Sequence, residues 1–163
     1  MNCCAESVPA GRRDCRACQG PSHPVPLRTM LLMLKPELFG EVGEQQYRFC
    51  ASPDCRVVYF SGARCFTTDD LRVRVGLKEQ DGLLPLCYCF GFSEQDVRRE
   101  IEATGQTTIP QRIAALTKER LCACAERNPS GACCLGEVAR TVKRLLKELC
   151  LSRAQRPETM KSM

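Results

Sequence analysis

Residues 46–60, with the sequence QYRFCASPDCRVVYF, decide the fold of the N-terminal half of this chain. Two runs rich in aromatic and β-branched residues flank the turn-forming stretch Ala51-Ser52-Pro53-Asp54, which is the pattern of a β-hairpin. Ser61-Gly62 then starts another turn, which leads into a third run at Cys65-Phe66-Thr67. We therefore expect a small antiparallel β meander in this part of the chain.

The hairpin carries two cysteines, Cys50 and Cys55, and a second pair, Cys15-x2-Cys18, lies upstream in an arm rich in Pro, Gly and Arg. Zinc binds four ligands at tetrahedral corners, and cysteine pairs with such short spacings are typical of zinc knuckles. The alternative is that these cysteines are small buried hydrophobic residues. We predict a zinc site with the ligands Cys15, Cys18, Cys50 and Cys55. Four thiolates leave no open coordination position, so this site is expected to be structural. His23, the single histidine, is expected to be exposed and not a ligand.

The pattern becomes helical after the polar stretch 78–82. Ser93, with Asp96 three residues later, predicts a capped helix that runs to Thr104 and ends at Gly105. A second helix is expected to begin at Thr108, and apolar residues at helical spacing predict a third from Leu135 to about Leu151.

This change of pattern divides the chain. The sequence predicts a zinc-binding β-rich domain over residues 1–79, a helical domain over 83–151 and a disordered tail over 152–163. The fold class is α+β, with the β meander followed by a helix-turn-helix module.

Composition restricts the function classes. The 163 residues include 14 cysteines, and their net charge of +5 is mildly basic and dispersed, which gives no indication of a nucleic-acid partner. The N-terminus has no signal-peptide pattern, and the longest apolar run, 30–34, is too short to span a bilayer. We therefore expect no membrane association, a cytoplasmic location, and thiols that bind metal instead of forming disulfides.

The sequence contains no Ser/His/Asp set and no phosphate-binding loop, so we do not expect an enzyme of hydrolysis or group transfer.

The helical half has its own cysteine set. Cys87-x-Cys89 is too short a loop for a disulfide of normal geometry, and further thiols follow at Cys122, Cys124, Cys133 and Cys134. A [2Fe–2S] cluster binds four cysteines, and a helix-turn-helix can bring the two groups together. Spacing alone leaves open which of Cys122 and Cys124, and which of Cys133 and Cys134, would be ligands.

A series of motifs spans most of the chain. These are the knuckle at 15–18, the hairpin at 49–60, Arg-Val-Gly-Leu-Lys-Glu at 74–79, Cys-Tyr-Cys at 87–89 and Asn-Pro-Ser-Gly-Ala-Cys-Cys at 128–134. Over residues 15 to about 137 the series resembles the N-terminal module of the CopZ copper chaperone family. The spacing from Cys87-x-Cys89 to Cys122 is also similar to bacterioferritin-associated ferredoxin-type [2Fe–2S] domains, although Ala125 stands where their pattern has a cysteine.

The resemblance to CopZ implies one zinc ion and one [2Fe–2S] cluster. By position it implies that Cys87 and Cys89 hold one iron and that Cys124 and Cys134 are the other two ligands. CopZ proteins also have a copper-carrying domain with a Met-x-Cys-x-x-Cys loop. We expect this chain to lack that domain, because no such motif occurs in its sequence.

The implied function is a redox accessory protein of soft-metal homeostasis that transfers one electron and reduces Cu(II) to Cu(I). Its partners would be a copper ion or a copper-handling protein, and an electron-donor protein. We expect the electron to leave near Tyr88 and Phe90, and docking to use the basic residues Lys143, Arg144 and Lys147. The alternatives are an iron–sulfur sensor or adaptor protein without a reductive role, and a module that binds two structural zinc ions.

Overall fold

The computed structural model describes residues 14–62, 64–79, 83 and 85–154. Among the residues outside this range are 1–13, which include Cys3 and Cys4, the centre of the polar stretch at 80–82, and the tail beyond residue 154.

The N-terminal half is built on a four-stranded antiparallel sheet with the strand order β1-β2-β3-β4. Strands β2 (Tyr47–Cys50), β3 (Val57–Phe60) and β4 (Cys65–Thr67) form the predicted meander. Strand β1 (Ser22–Val25) lies in the arm where the sequence predicted irregular structure, and it pairs antiparallel with β2. It contains Pro24, which an edge strand tolerates because one side of that strand makes no ladder hydrogen bonds.

Helix α1 (Leu27–Met33) follows β1 and packs on the sheet. The 3₁₀ turns Pro36–Glu41, Thr68–Asp70 and Gly76–Lys78 complete this half. Its core contains the aromatic side chains of the sheet together with α1, and it includes Met30, Tyr47, Phe49, Tyr59 and Phe66.

The C-terminal half begins with a two-stranded hairpin, β5 (Pro85–Cys87) and β6 (Phe92–Ser93). Helices α2 (Glu94–Thr104), α3 (Ile109–Lys118), α4 (Cys124–Arg127) and α5 (Leu135–Ala154) follow. The Ser93–Asp96 capping box and the left-handed Gly105 at the end of α2 are as predicted. Helix α4 was not predicted, and α5 includes the first three residues of the predicted disordered tail.

A second core lies in this half, and it contains side chains of β5, α2, α3 and α5, among them Val97, Ile101, Ile113, Val138 and Leu145. The two halves meet where α1 contacts α4. In the described part of the chain, no helix combines the length and apolar character that crossing a membrane requires.

Candidate metal centres

The first cysteine pair lies on a tight turn just before β1. The backbone N–H of Gln19 donates to the Cys15 carbonyl over 2.6 Å, and the N–H of Cys15 donates to the Gly20 carbonyl over 2.9 Å. Gln19 closes the turn with a left-handed φ of 58°. This geometry places Cys15 and Cys18 side by side, as in a zinc knuckle.

The second pair lies on the hairpin. Cys50 is the last residue of β2, and the turn between β2 and β3 returns the chain at Cys55, whose N–H donates to the Ser52 carbonyl over 3.4 Å. The β1–β2 pairing aligns Ser22 with Cys50 and thereby brings the knuckle beside the hairpin.

The four thiols converge on one point. The Sγ atoms of Cys15 and Cys55 are 3.9 Å apart and those of Cys18 and Cys50 are 3.7 Å apart. All four sulfur atoms lie within 4.8 Å of one another. A tetrahedron with zinc–sulfur distances of about 2.3 Å has sulfur–sulfur edges of about 3.8 Å. The arrangement fits a four-thiolate zinc ion.

Burial differs among these thiols. Cys15, Cys50 and Cys55 are buried and Cys18 is exposed. Burial raises the pKa of Cys15 and of Cys55. Burial also opposes ionisation of Cys18, but the Ser52 hydroxyl at 3.3 Å and the Gly20 N–H at 3.4 Å stabilise its thiolate and lower its pKa to about 7. A metal cation supplies the charge that the buried thiolates need.

The second cysteine set forms two pairs. The Sγ atoms of Cys89 and Cys124 lie 3.7 Å apart, and the N–H of Ala123 donates to the Cys89 sulfur over 3.2 Å. A hydrogen bond with the Cys134 side chain lowers the pKa of Cys87 to about 6, and the same contact raises the pKa of Cys134. Burial and the neighbouring Cys89 raise the pKa of Cys124 to about 12, while the backbone N–H of Cys134 donates to this thiol.

These two pairs do not converge as the first set does. Among the described residues, three or more possible metal-ligand atoms lie within 4.8 Å of one another only in the group of Cys15, Cys18, Cys50 and Cys55. One tetrahedral ion requires that convergence, whereas a cluster with two irons requires two separate pairs of thiols. The chemistry and arrangement of the second set therefore fit a [2Fe–2S] cluster better than a zinc ion.

Each thiol of the Cys87-x-Cys89 pair contacts a thiol from a later part of the chain. Cys87 ends β5 and is fully buried, whereas Cys89 lies in the following turn and is partly exposed. Cys89 therefore contacts Cys124, and Cys87 contacts Cys134. That Cys87 and Cys89 hold one iron, as the resemblance implies, stays a prediction.

The remaining thiols of this half are placed differently. Cys133 is exposed, and its negative charge contributes to the raised pKa of Cys124 and of Cys134. Cys122 lies in the extended segment before α4. The structure thus brings Cys87, Cys89, Cys124 and Cys134 together.

Of three further expectations, the exposure of His23 was wrong, and those for Tyr88 and Arg144 stay predictions. His23 is half-buried, and its Nε2 atom lies 3.0 Å from the Ser130 carbonyl oxygen. Tyr88 faces the N-terminal half, because its hydroxyl accepts the N–H of Gly76 over 2.6 Å. Arg144 forms ion pairs with Glu94 and Glu148. The contacts of His23 and Tyr88 join residues from different elements, and no local sequence signal indicates them. The ion pairs of Arg144 join it to α2 and to the next turn of α5.

Comparisons with known proteins agree with this geometry. Residues 12–72 match the CopZ family described as a zinc binding domain. The copper chaperone CopZ of Archaeoglobus fulgidus is 34% identical over 88 residues, which are 54% of this chain and 42% of that protein. The chain thus matches less than half the length of this curated relative. The X-ray structure of the A. fulgidus CopZ N-terminal domain superimposes with a TM-score of 0.64 and 28% identity, covering 76% of this chain and 92% of that one.

Proposed function

We propose that this protein is a zinc- and [2Fe–2S]-containing redox accessory protein of copper homeostasis, because residues 12–72 match the CopZ zinc-binding domain family and the fold is similar to that of the A. fulgidus CopZ N-terminal domain. The observation that carries this proposal is the presence of two cysteine sets with different geometry in one chain. One set is a closed tetrahedron and the other is two separate pairs.

The first set, Cys15, Cys18, Cys50 and Cys55, would hold a structural zinc ion. Its four thiols leave no position for water or substrate, and three of them are buried. The ion would join the knuckle to the hairpin and so stabilise the N-terminal domain, for which we retain the bounds 1–79. The separate cores of the two halves support this division and the bounds 83–151 of the second domain.

The second set, Cys87, Cys89, Cys124 and Cys134, would hold a [2Fe–2S] cluster, which when bound exchanges one electron. The N–H of Ala123 on Cys89 and that of Cys134 on Cys124 stabilise negative charge on these sulfur atoms. Cys87 and Cys134 are buried, whereas Cys89 and Cys124 are partly exposed. A partner or a Cu(II) substrate would therefore approach on the side of Cys89 and Cys124.

The A. fulgidus relative is named a copper chaperone, and this supports copper as the metal served. The substrates and partners proposed are Cu(II), a copper-handling protein and an electron-donor protein. A cytoplasmic location is part of the proposal, because a reducing compartment keeps all eight ligand thiols available.

Metal analysis tests the proposed composition. We expect purified protein to be red-brown and to contain one zinc, two irons and two sulfides per chain. Colourless protein with two zinc ions would instead support the double-zinc module. The matched control for the cluster is Cys150→Ser, which changes an exposed thiol on α5 and should leave colour and metal content unchanged.

Copper reduction tests the proposed activity. Reduced protein is mixed with Cu(II) and a chromophoric chelator specific for Cu(I). We expect the visible spectrum of the oxidised cluster to return as the chelator colour develops, one copper per cluster. If the cluster stays reduced in the presence of copper, the redox role is wrong and the sensor or adaptor function takes its place.

A further inference from the structure

The segment 124–134, here called the ligand loop, carries two of the four thiols of the second metal centre and lies against the N-terminal half. Three side chains of that half form hydrogen bonds with its backbone carbonyls. The Thr29 hydroxyl donates to Ala125 over 2.7 Å, and the Tyr59 hydroxyl donates to Pro129 over 2.7 Å. The Nε2 atom of His23 lies 3.0 Å from the carbonyl oxygen of Ser130.

Burial and packing fix the donor groups of Tyr59, Thr29 and His23. Tyr59 and Thr29 are fully buried, and burial raises the pKa of Tyr59, so its phenol remains protonated and donates. The ring of His23 packs 5.3 Å from that of Phe49, which holds its orientation. A buried carbonyl that loses such a donor is left without a partner, and this costs more than an exposed hydrogen bond.

The loop backbone also approaches the N-terminal half closely. Gly131 has a φ of 67°, and a Cβ atom there would lie 2.9 Å from Cδ of Pro26 and 3.2 Å from Oγ1 of Thr29. Because glycine has no Cβ atom, Gly131 can adopt this left-handed φ and lie close to Pro26 and Thr29.

The loop is held together internally. Asn128 accepts the N–H of Ser130 at its side-chain oxygen over 3.0 Å and donates its side-chain N–H to the Ala132 carbonyl over 2.8 Å. The N–H of Asn128 donates to the Cys124 carbonyl over 2.9 Å. A contact at Pro129 or Ser130 consequently restrains both ends of the loop, where Cys124 and Cys134 lie.

The other two thiols are restrained by the same half. Tyr88, between Cys87 and Cys89, accepts the N–H of Gly76 at its hydroxyl over 2.6 Å. We propose that the sheet of the zinc domain forms one wall of the second metal centre, with Tyr59, Thr29 and His23 acting as positioning residues for the ligand loop. The effect on the cluster rests on the proposed function, whereas the restraint of the loop does not.

Hydrogen–deuterium exchange of the full-length, zinc-loaded chain before cluster assembly tests the restraint by itself. Tyr59→Phe removes the donor to Pro129 and should raise the exchange rate of the amides in the ligand loop by about tenfold, because the buried carbonyl loses its partner. The matched control is Tyr47→Phe. It removes a buried hydroxyl from the same sheet, but that hydroxyl bonds to Gly43 and Gln45 within its own half. Equal loop exchange rates in the two variants would overturn the proposal.

Thr29→Val provides a second, nearly isosteric variant at the other end of the loop, and should also accelerate exchange there. In iron-loaded protein, Tyr59→Phe and Thr29→Val should lose iron to a chelator several-fold faster than Tyr47→Phe, with the zinc content unchanged. Iron loss at the control rate would overturn the effect on the cluster. If every variant, like the unchanged protein, takes up no iron, the proposed cluster is wrong while the exchange data still decide whether the loop is restrained.

Discussion

Replacing Gly131 with alanine should destabilise the protein more than the same change at another left-handed glycine. Gly131 has a φ of 67°, and an added Cβ would contact Pro26 Cδ at 2.9 Å, Thr29 Oγ1 at 3.2 Å and Val25 Cγ2 at 3.3 Å. Left-handed backbone costs a non-glycine residue roughly 1–2 kcal/mol. Overpacking of a well-packed interface adds roughly 1–3 kcal/mol. The sum is a loss of about 2–5 kcal/mol for Gly131→Ala.

Gly105→Ala is the matched control. Gly105 has a φ of 79° at the end of α2, and an added Cβ would meet no atom within 4 Å. This variant therefore carries the conformational cost alone, roughly 1–2 kcal/mol. The effect of either substitution on the unfolded chain is the same and cancels in the comparison.

The assay is thermal unfolding of the zinc-loaded proteins, followed by circular dichroism. In a chain of this size, 1 kcal/mol corresponds to a shift of roughly 2–4 °C in the midpoint. Gly131→Ala should therefore unfold roughly 2–12 °C below Gly105→Ala. Equal midpoints would refute the reasoning, because they would mean that the ligand loop does not pack closely on the N-terminal half.

Further predictions concern the metal centres, the α2 cap and docking. Cys50→Ser should lose zinc and unfold the N-terminal domain, because metal binding can contribute on the order of 10 kcal/mol to folding; zinc content and midpoint measure this, and retention of both would contradict the site. Alanine at any of the four proposed cluster ligands should bleach or distort the visible spectrum, and alanine at Cys122 or Cys133 should not. The reverse result would mean that Cys122 and Cys133 are ligands of the cluster. Hydrogen bonds from Ser93 lower the pKa of Asp96, so the stability that Asp96 contributes is present above its unfolded pKa of about 3.9 and is lost as the pH falls through the lower folded value. Asp96→Asn should thus cost about 1 kcal/mol at pH 7 and much less near pH 2 by denaturant titration; a difference independent of pH would exclude the cap. Replacing Lys143 and Lys147, both exposed, with Gln should slow exchange with an acidic protein partner as added salt does, since the screening length falls from about 10 Å at 0.1 M to about 3 Å at 1 M; exchange rates that do not depend on salt would exclude charge steering.

Local features of the sequence predicted the β meander and three of the helices correctly. The turn residues 51–54 between two β-forming runs indicated the hairpin, and Ser93 with Asp96 indicated the start of α2. The grouping of the first four cysteines followed from the same local logic, because a two-residue gap and a hairpin turn set the direction of their side chains. Their role as zinc ligands remains a prediction, which the matched zinc-binding family supports.

Local sequence features did not predict the contacts between residues that are distant in the chain. Strand β1 forms because β2 offers an unpaired edge, and nothing within the Pro-rich arm itself favours a strand. The resemblance placed Cys87 and Cys89 on one iron. The structure shows contacts of Cys89 with Cys124 and of Cys87 with Cys134, which join distant parts of the chain; which thiols share an iron stays a prediction.

The sequence by itself determined the β meander, the helices α2, α3 and α5, and the residues whose chemistry suits metal binding, because turn chemistry, capping and cysteine spacing act over a few neighbouring residues. Tertiary structure alone decided how the N-terminal half contacts the segment that carries Cys124 and Cys134. The contacts of Tyr59 with Pro129, Thr29 with Ala125 and His23 with Ser130 join positions 70, 96 and 107 residues apart. Their donors and acceptors have no pattern in the chain, since they meet as a consequence of how two separately formed cores pack together.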